Sequence, residues 1–168
     1  MYFKQIDAKE LNENAFKLIG TDWMLISSGN ENKFNTMTAS WGGVGVLWGK
    51  NVSFVFIRPQ RYTLEFVEKN DYYTLSFFSD EYRPALSLCG SKSGRDVDKV
   101  AETGLTPLFD NGVPYFGEAK LVLVCKKLYN QPLDPSCFVD KNLDSFYANN
   151  DYHKMFVGEI VKVLVKEQ

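Results

Sequence analysis

Two short segments of this chain carry the residue types that an anionic, aromatic ligand needs. The first, N-T-M-T-A-S-W at 35–41, follows Asn35 with the hydroxyls of Thr36, Thr38 and Ser40 alternating with Met37, Ala39 and Trp41. Strand alternation sends the three hydroxyls to one face and the apolar residues to the other. Such a row can bond a polyol or the polar edge of a ring, and Gly42 and Gly43 beyond it allow close approach to the backbone. A solvent-facing row of β-prone threonines is the competing structural explanation. The second segment, R-P-Q-R-Y-T at 58–63, holds Arg58 and Arg61 around a proline that fixes the backbone. The two guanidinium groups can face one phosphate with Thr63 donating beside them. Two solvated arginines at a strand end are the plainer alternative, since exposed Arg is common.

A third segment, C-G-S-K-S-G-R-D at 89–96, adds Ser91, Lys92, Ser93 and Arg95 on a loop rich in backbone donors. It lacks the G-x-x-x-x-G-K-[ST] spacing of a nucleotide phosphate loop, so an NTPase is not supported. Asp96 and Asp98 are expected to pair with Lys99 and to cap the helix that follows. His153 is the sole histidine, which removes multi-histidine metal sites, and Cys89, Cys125 and Cys137 are too scattered for a zinc site. A lone histidine entering a strand suits a proton donor or an aromatic contact, with a structural role as the bland alternative. No G-x-S-x-G appears, and nothing beyond coexistence links Cys89 to His153 as a nucleophile pair.

The totals set the class. A length of 168 residues is economical for one hydrophobic core, and nothing in the middle reads as a linker, so one domain over 1–168 is expected. The chain is 45% hydrophobic and 15% aromatic, which favours an ordered, strand-rich fold. A net charge of −2 argues against nucleic-acid binding, where clustered Lys and Arg neutralise phosphates. The odd, dispersed cysteines suit a reducing cytoplasm. With no basic start followed by an apolar stretch and no membrane-length run, a soluble, unexported protein is expected.

The elements that must position these segments follow from periodicity. Asp7 with Glu10 can open a helix carrying Leu11, Ala15, Leu18 and Ile19 until Gly20 ends it. W-M-L-I-S-S, F-N-T-M-T-A-S-W, V-G-V-L-W and V-S-F-V-F-I then predict four strands separated by Gly and Asn turns. Thr63 is expected to cap a short helix through Lys69, before Y-Y-T-L-S-F-F returns as a strand. Residues 80–104 predict two short helices around a Ser/Gly loop. Two long, half-buried strands follow, A-K-L-V-L-V-C-K-K-L-Y and H-K-M-F-V-G-E-I-V-K-V-L-V, separated by an irregular excursion at Q-P-L-D-P-S-C. Many short strands without regular strand–helix alternation exclude a doubly wound fold and point to an antiparallel barrel.

Taken in order, N-T-M-T-A-S-W, R-P-Q-R-Y-T, C-G-S-K-S-G-R-D-V-D-K at 89–99 and H-K-M-F-V-G-E-I at 153–160 resemble the flavin reductase-like, or flavoredoxin, family of FMN-binding proteins. The resemblance spans most of the chain and rests on the joint order and spacing. It implies a mainly β, FMN-binding split β-barrel of Greek-key type, forming a homodimer with each flavin near the subunit boundary. It further implies that Asn35, Thr36, Met37, Thr38, Ala39, Ser40 and Trp41 run beside the isoalloxazine and ribityl groups. Arg58, Arg61 and Thr63 would lie toward the phosphate, the Ser91–Arg95 loop over the cofactor, and His153 near the nicotinamide as a catalytic residue. The implied activity is an FMN oxidoreductase passing electrons from NADH or NADPH to an acceptor, which can be a redox protein. The alternative is a carrier or redox-sensing module without direct NAD(P)H use. Thr36-Met37, where flavin-diffusible reductases often have Gly-Val, and Tyr152, where they tend to have an acidic residue, favour a tightly held FMN.

Overall fold

The β-prone runs pair as antiparallel neighbours in the computed structural model, which describes residues 2–167. The strands are β1 (Phe3–Ile6), β2 (Met24–Gly29), β3 (Phe34–Ala39), β4 (Gly42–Leu47), β5 (Lys50–Ile57), β6 (Tyr72–Phe77), β7 (Pro107–Asp110), β8 (Val113–Phe116), β9 (Leu121–Pro132) and β10 (Lys154–Lys166). Three helices interrupt them: α1 (Thr63–Lys69), α2 (Arg83–Ser91) and α3 (Lys99–Thr103). The main sheet runs β3-β2-β6-β9-β10-β5-β4, with β1 added to β10, while β7 and β8 form a separate hairpin. β3 and β4 are therefore consecutive in the chain yet lie at opposite ends of the sheet path.

Alternation along β9 shows how the layers are filled. Leu121, Leu123 and Cys125 join one core with Met24, Ile26, Met37 and Phe156. Val122 and Val124 face the other way and join a second core with Leu25, Leu86, Cys89 and Phe116. The first five residues of β9 are all buried, so this half of the strand is not half-buried as alternation predicted. The second core lies under α2 and the β7–β8 hairpin, whose covering action the strand's own sequence does not announce.

Other expectations need correction. The helix over 7–19 is instead a 3-10 turn at Ala8–Glu10 and a π-helical turn at Lys17–Thr21, and it continues past Gly20. Asp7 does cap the first turn, accepting from the Lys9 N–H. Thr63 is the first residue of α1 and not its cap; its hydroxyl accepts a side-chain bond from Asn35. The hairpins at β4–β5 and β7–β8 turn on Trp48-Gly49 and Asn111-Gly112, with every φ between 50° and 85°. Those are the left-handed values of a two-residue I′ turn, which Gly and Asn adopt at little cost.

Candidate functional site

Four parts of the chain converge on one groove. They are β3 with its link to β4, the turn after β5, the loop after α2, and the residues entering β10. The groove consists of two cavities that share Met37 and Arg61.

The first cavity, about 130 Å³, has a cationic lining. Arg61, Lys92 and Lys99 border it, together with Asn35, Thr63 and the 90–94 loop, and its lining holds no carboxylate. Asp98 caps α3 by accepting from the N–H groups of Val100 and Ala101, leaving Lys99 to turn inward. The expected Asp96/Asp98–Lys99 pairing is therefore absent among the described residues. The Lys99 ammonium, only 6% exposed, donates to the carbonyls of Thr36 at 2.7 Å and Cys89 at 2.9 Å. Arg61 donates to Gly90 O at 2.9 Å and reaches Cys89 O at 3.5 Å. The Cys89 and Gly90 carbonyls belong to the last turn of α2, whose unsatisfied acceptors and partial negative end favour cations. They carry no formal charge, however, so the buried Lys99 and the half-buried Arg61 stand without a counter-ion. Burial, with Arg61 adding to it, pushes the Lys99 ammonium down to about 8, and burial likewise lowers Arg61.

The second cavity, about 210 Å³, is lined by Met37–Trp41 on one wall and by Phe56, Arg58 and His153 on another. His153 is buried, and its Nδ1 lies 2.8 Å from the Tyr147 hydroxyl. Burial, reinforced by the Arg58 cation, lowers its pKa to about 4, so the imidazole is neutral near pH 7. Trp41 is 47% exposed and meets Phe146 edge-on at 5.5 Å, with the His153 ring 5.3 Å away. Arg58 pairs with Asp151 at 2.7 Å, donates to Phe146 O, and lies 5.0 Å over the Tyr147 ring.

The sequence-predicted residues thus gather, with differences in role. Thr36 and Thr38 do share a face, but their hydroxyls serve the protein. Thr36 bonds Ser27 at 2.8 Å, and Thr38 donates to Leu86 O on α2. The predicted hydroxyl row is covered by α2, so the Met37–Trp41 wall offers backbone and Ser40 rather than three free hydroxyls. Arg58 and Arg61 part company: one is ion-paired at the aromatic end, the other is half-buried at the cationic end and donates only to carbonyls. Arg95 lies outside the two cavities; it stacks 4.4 Å from the Tyr62 ring and pairs with Glu65. Ser91 Oγ returns a bond to Ser87 O, while Ser93 Oγ accepts from the Arg95 N–H. Lys99 was missed because the Asp96-x-x-Lys99 spacing favours a surface pair; the Asp98 cap position immediately before it was the available signal. Tyr147, the partner of His153, lies beyond the Q-P-L-D-P-S-C excursion in a stretch without a periodic cue.

A model described as flavin reductase like domain matches residues 16–168. The chain belongs to the flavin reductase-like family. No curated protein matches it. Among solved structures, this flavin reductase-like chain is similar to flavoredoxin from Methanosarcina acetivorans, with 21% identity and a TM-score of 0.71 over 97% of this chain and 77% of that one. It is also similar to an FMN-binding protein from Thermus thermophilus with bound p-hydroxybenzaldehyde, at 22% identity, TM-score 0.68, and coverage of 98% and 82%. A split barrel domain structure from Shewanella frigidimarina matches at 18% identity, TM-score 0.69, and coverage of 97% and 76%. The fold is that split β-barrel: mainly β, with a large antiparallel sheet and few helices. Among the described residues no helix is long and apolar enough to cross a membrane.

Proposed function

We propose that this flavin reductase-like chain holds FMN in the two-cavity groove and passes electrons from NADH or NADPH through it to an acceptor. One observation carries the reading: Lys99, buried, and Arg61, half-buried, border one end of the groove without a carboxylate in its lining. A cation withdrawn from water is costly unless paired, so a site that keeps one buried and a second half-buried beside it is built for an anion supplied from outside. The phosphate of FMN meets that requirement, and the aromatic end of the groove meets that of a ring. The Thermus protein similar to this chain is described as FMN-binding.

When bound, FMN supplies the hydride and single-electron chemistry. The chain's own residues bind and orient. Arg61 and Lys99 hold the phosphate charge, and Asn35, held to Thr63 at 2.9 Å, fixes the groove wall beside them. The Met37–Trp41 backbone and Ser40 border the place for the ring's polar edge, where backbone N–H groups would stabilise negative charge developing on reduction. His153 contributes a neutral imidazole. With Nδ1 engaged by Tyr147, its remaining nitrogen is the one left to contact a substrate ring.

A specific feature supports the carrier alternative. At the aromatic end the only lining cation besides Arg61 is Arg58, and it is already paired with Asp151. A pyridine nucleotide would have to compete with that pair for its own phosphates. We further propose a homodimer, since β4 ends the sheet and exposes Val46 (73%) and Trp48 (58%) beside it. The test is to record the visible spectrum, titrate FMN, then mix the loaded protein anaerobically with NADH and NADPH. A protein that takes up no FMN sinks the reading, whereas FMN uptake with bleaching only by a protein donor selects the carrier.

A further inference from the structure

We propose that Tyr147 is a positioning residue: its hydroxyl fixes the tautomer of His153, so that the imidazole presents an Nε2–H donor to the carbonyl oxygen of a ring that exchanges hydride with the flavin. What the groove receives rests on the flavin-binding reading above; the tautomer rests on the protein alone.

A neutral imidazole carries one proton, and the partner of one nitrogen decides which of the two holds it. The Tyr147 hydroxyl, 2.8 Å from Nδ1, makes no other hydrogen bond among the described residues. A proton on Nδ1 would be donated to the phenol oxygen and would leave the phenol's own proton without an acceptor in a buried place. With the phenol donating to Nδ1, both groups are satisfied and the ring proton sits on Nε2. Burial holds the Tyr147 phenol above its ordinary range, so it has the proton to give. Asp151, the carboxylate whose field reaches both rings, already accepts from Arg58 at 2.7 Å and from Gln60 at 2.8 Å.

The surroundings hold that arrangement. The Tyr147 ring stacks on Tyr152 at 4.8 Å and lies 5.0 Å from the Arg58 guanidinium, which also donates to the preceding carbonyl, Phe146 O, at 3.0 Å. The His153 carbonyl accepts from the Leu133 N–H at 2.9 Å, which pins the imidazole's backbone. Nε2 makes no bond among the described residues, and His153 lines the aromatic cavity with Ser40 and Trp41. A nitrogen that already carries its proton cannot serve as a base; it donates. Its match is a carbonyl oxygen on a planar ring, either the carboxamide of a nicotinamide or the ring carbonyl of a quinone acceptor.

His153 is the sole histidine, so one pair of ring nitrogens reports the answer. Long-range proton–nitrogen NMR correlation on histidine-labelled protein at pH 7, free and FMN-loaded, should show a bare Nδ1 and a protonated Nε2. In Tyr147→Phe, which keeps the ring, the two shifts should move toward their tautomer average. A protonated Nδ1 in the wild type, or a variant spectrum identical to the wild type's, overturns the proposal; the wild-type spectrum alone decides should the variant fail to fold. NAD+ and duroquinone are then added separately to the oxidised, FMN-loaded protein. An Nε2 signal displaced by NAD+ assigns the carbonyl to the carboxamide, one displaced by duroquinone assigns it to an acceptor ring, and Tyr147→Phe should weaken the assigned probe about fivefold or more. Displacement by neither overturns the donor role while sparing the flavin reading. Failure to take up FMN, read separately from the visible spectrum, overturns the flavin reading and the donor's target with it, whatever the tautomer.

Discussion

Lys99 should make FMN binding depend on pH in a way that riboflavin binding does not. Its ammonium sits at about 8 in the folded protein against an ordinary 10.5. At 1.36 kcal/mol per unit, the charged form costs roughly 3 kcal/mol in the folded chain. The sign follows from proton counts. Between pH 8 and 10.5 the unfolded chain holds a proton on this lysine that the folded chain has released, so the penalty is present below that window and stability rises through it. A phosphate at the site acts oppositely, since it favours the ammonium and raises its pKa. FMN affinity should hold up to about pH 8 and then fall by up to about tenfold per pH unit, while riboflavin, without phosphate, stays flat. Lys99→Met removes the charge but strips the Thr36 and Cys89 carbonyls of a donor, at about 1–3 kcal/mol each. The gain and loss nearly cancel in the apo protein, so its melting temperature should move little. FMN should weaken by about 1.5–3 kcal/mol, or roughly tenfold to a hundredfold. Fluorescence titrations of both flavins from pH 6.5 to 9.5 read this directly. Parallel pH profiles for FMN and riboflavin, or unchanged FMN binding in the variant, would refute the placement of the phosphate.

Four further outcomes are expected. Arg61→Ala should weaken FMN by about 1.5–3 kcal/mol with little effect on riboflavin, measured by isothermal titration. Gly94→Ala should displace the Asn35 amide, which a Cβ would approach to 2.1 Å, and lower FMN affinity about tenfold while leaving the melting temperature near wild type. His153 has a folded pKa of about 4 against an ordinary 6.5. Its neutral form stabilises the protein fully above pH 6.5, and roughly 3 kcal/mol is lost as pH falls to 4; His153→Phe should abolish that acid sensitivity in urea melts. Gly158→Ala would set a Cβ 2.4 Å from the Tyr73 hydroxyl and break its bond to Ser53, costing roughly 1–3 kcal/mol in stability without touching FMN affinity.

The strands were legible where local pattern and burial agree. β2, β3, β5, β6, β9 and β10 each carry a dense run of β-branched and aromatic residues. α2 and α3 were marked by the Ser/Gly loop between them. The β7–β8 hairpin was not identified, although Asn111-Gly112 is the two-residue turn that announces one. β1 has only four residues and gains its place from pairing with β10, which no local signal records. The site was legible as a set of segments and not as a set of roles. Sequence alternation put Thr36 and Thr38 on one face, yet it could not say that Ser27 of β2 would take up the first hydroxyl and Leu86 of α2 the second. It also treated Arg58 and Arg61 as equals, whereas Asp151 lies 93 residues beyond Arg58 and only the fold brings them together.

The division between the two arginines explains how the groove keeps a direction. Arg58 is neutralised in place by Asp151, so the aromatic end is nearly uncharged and suits a ring. Arg61 and Lys99 hold only backbone carbonyls, of α2 and of Thr36 on β3, which fix their geometry without cancelling their charge. The carbonyls orient the cations before any ligand arrives, which reduces the side-chain ordering that binding would otherwise require. The electrostatic penalty is carried in folding, as the lowered Lys99 pKa records, and it is relieved only when an anion enters. A ligand with its charge at the wrong end would meet a closed ion pair at Arg58 and leave Lys99 and Arg61 unpaired. Orientation is therefore set by which cation already has its carboxylate, a property that replacing Asp151 with Asn should erode by leaving positive charge at both ends.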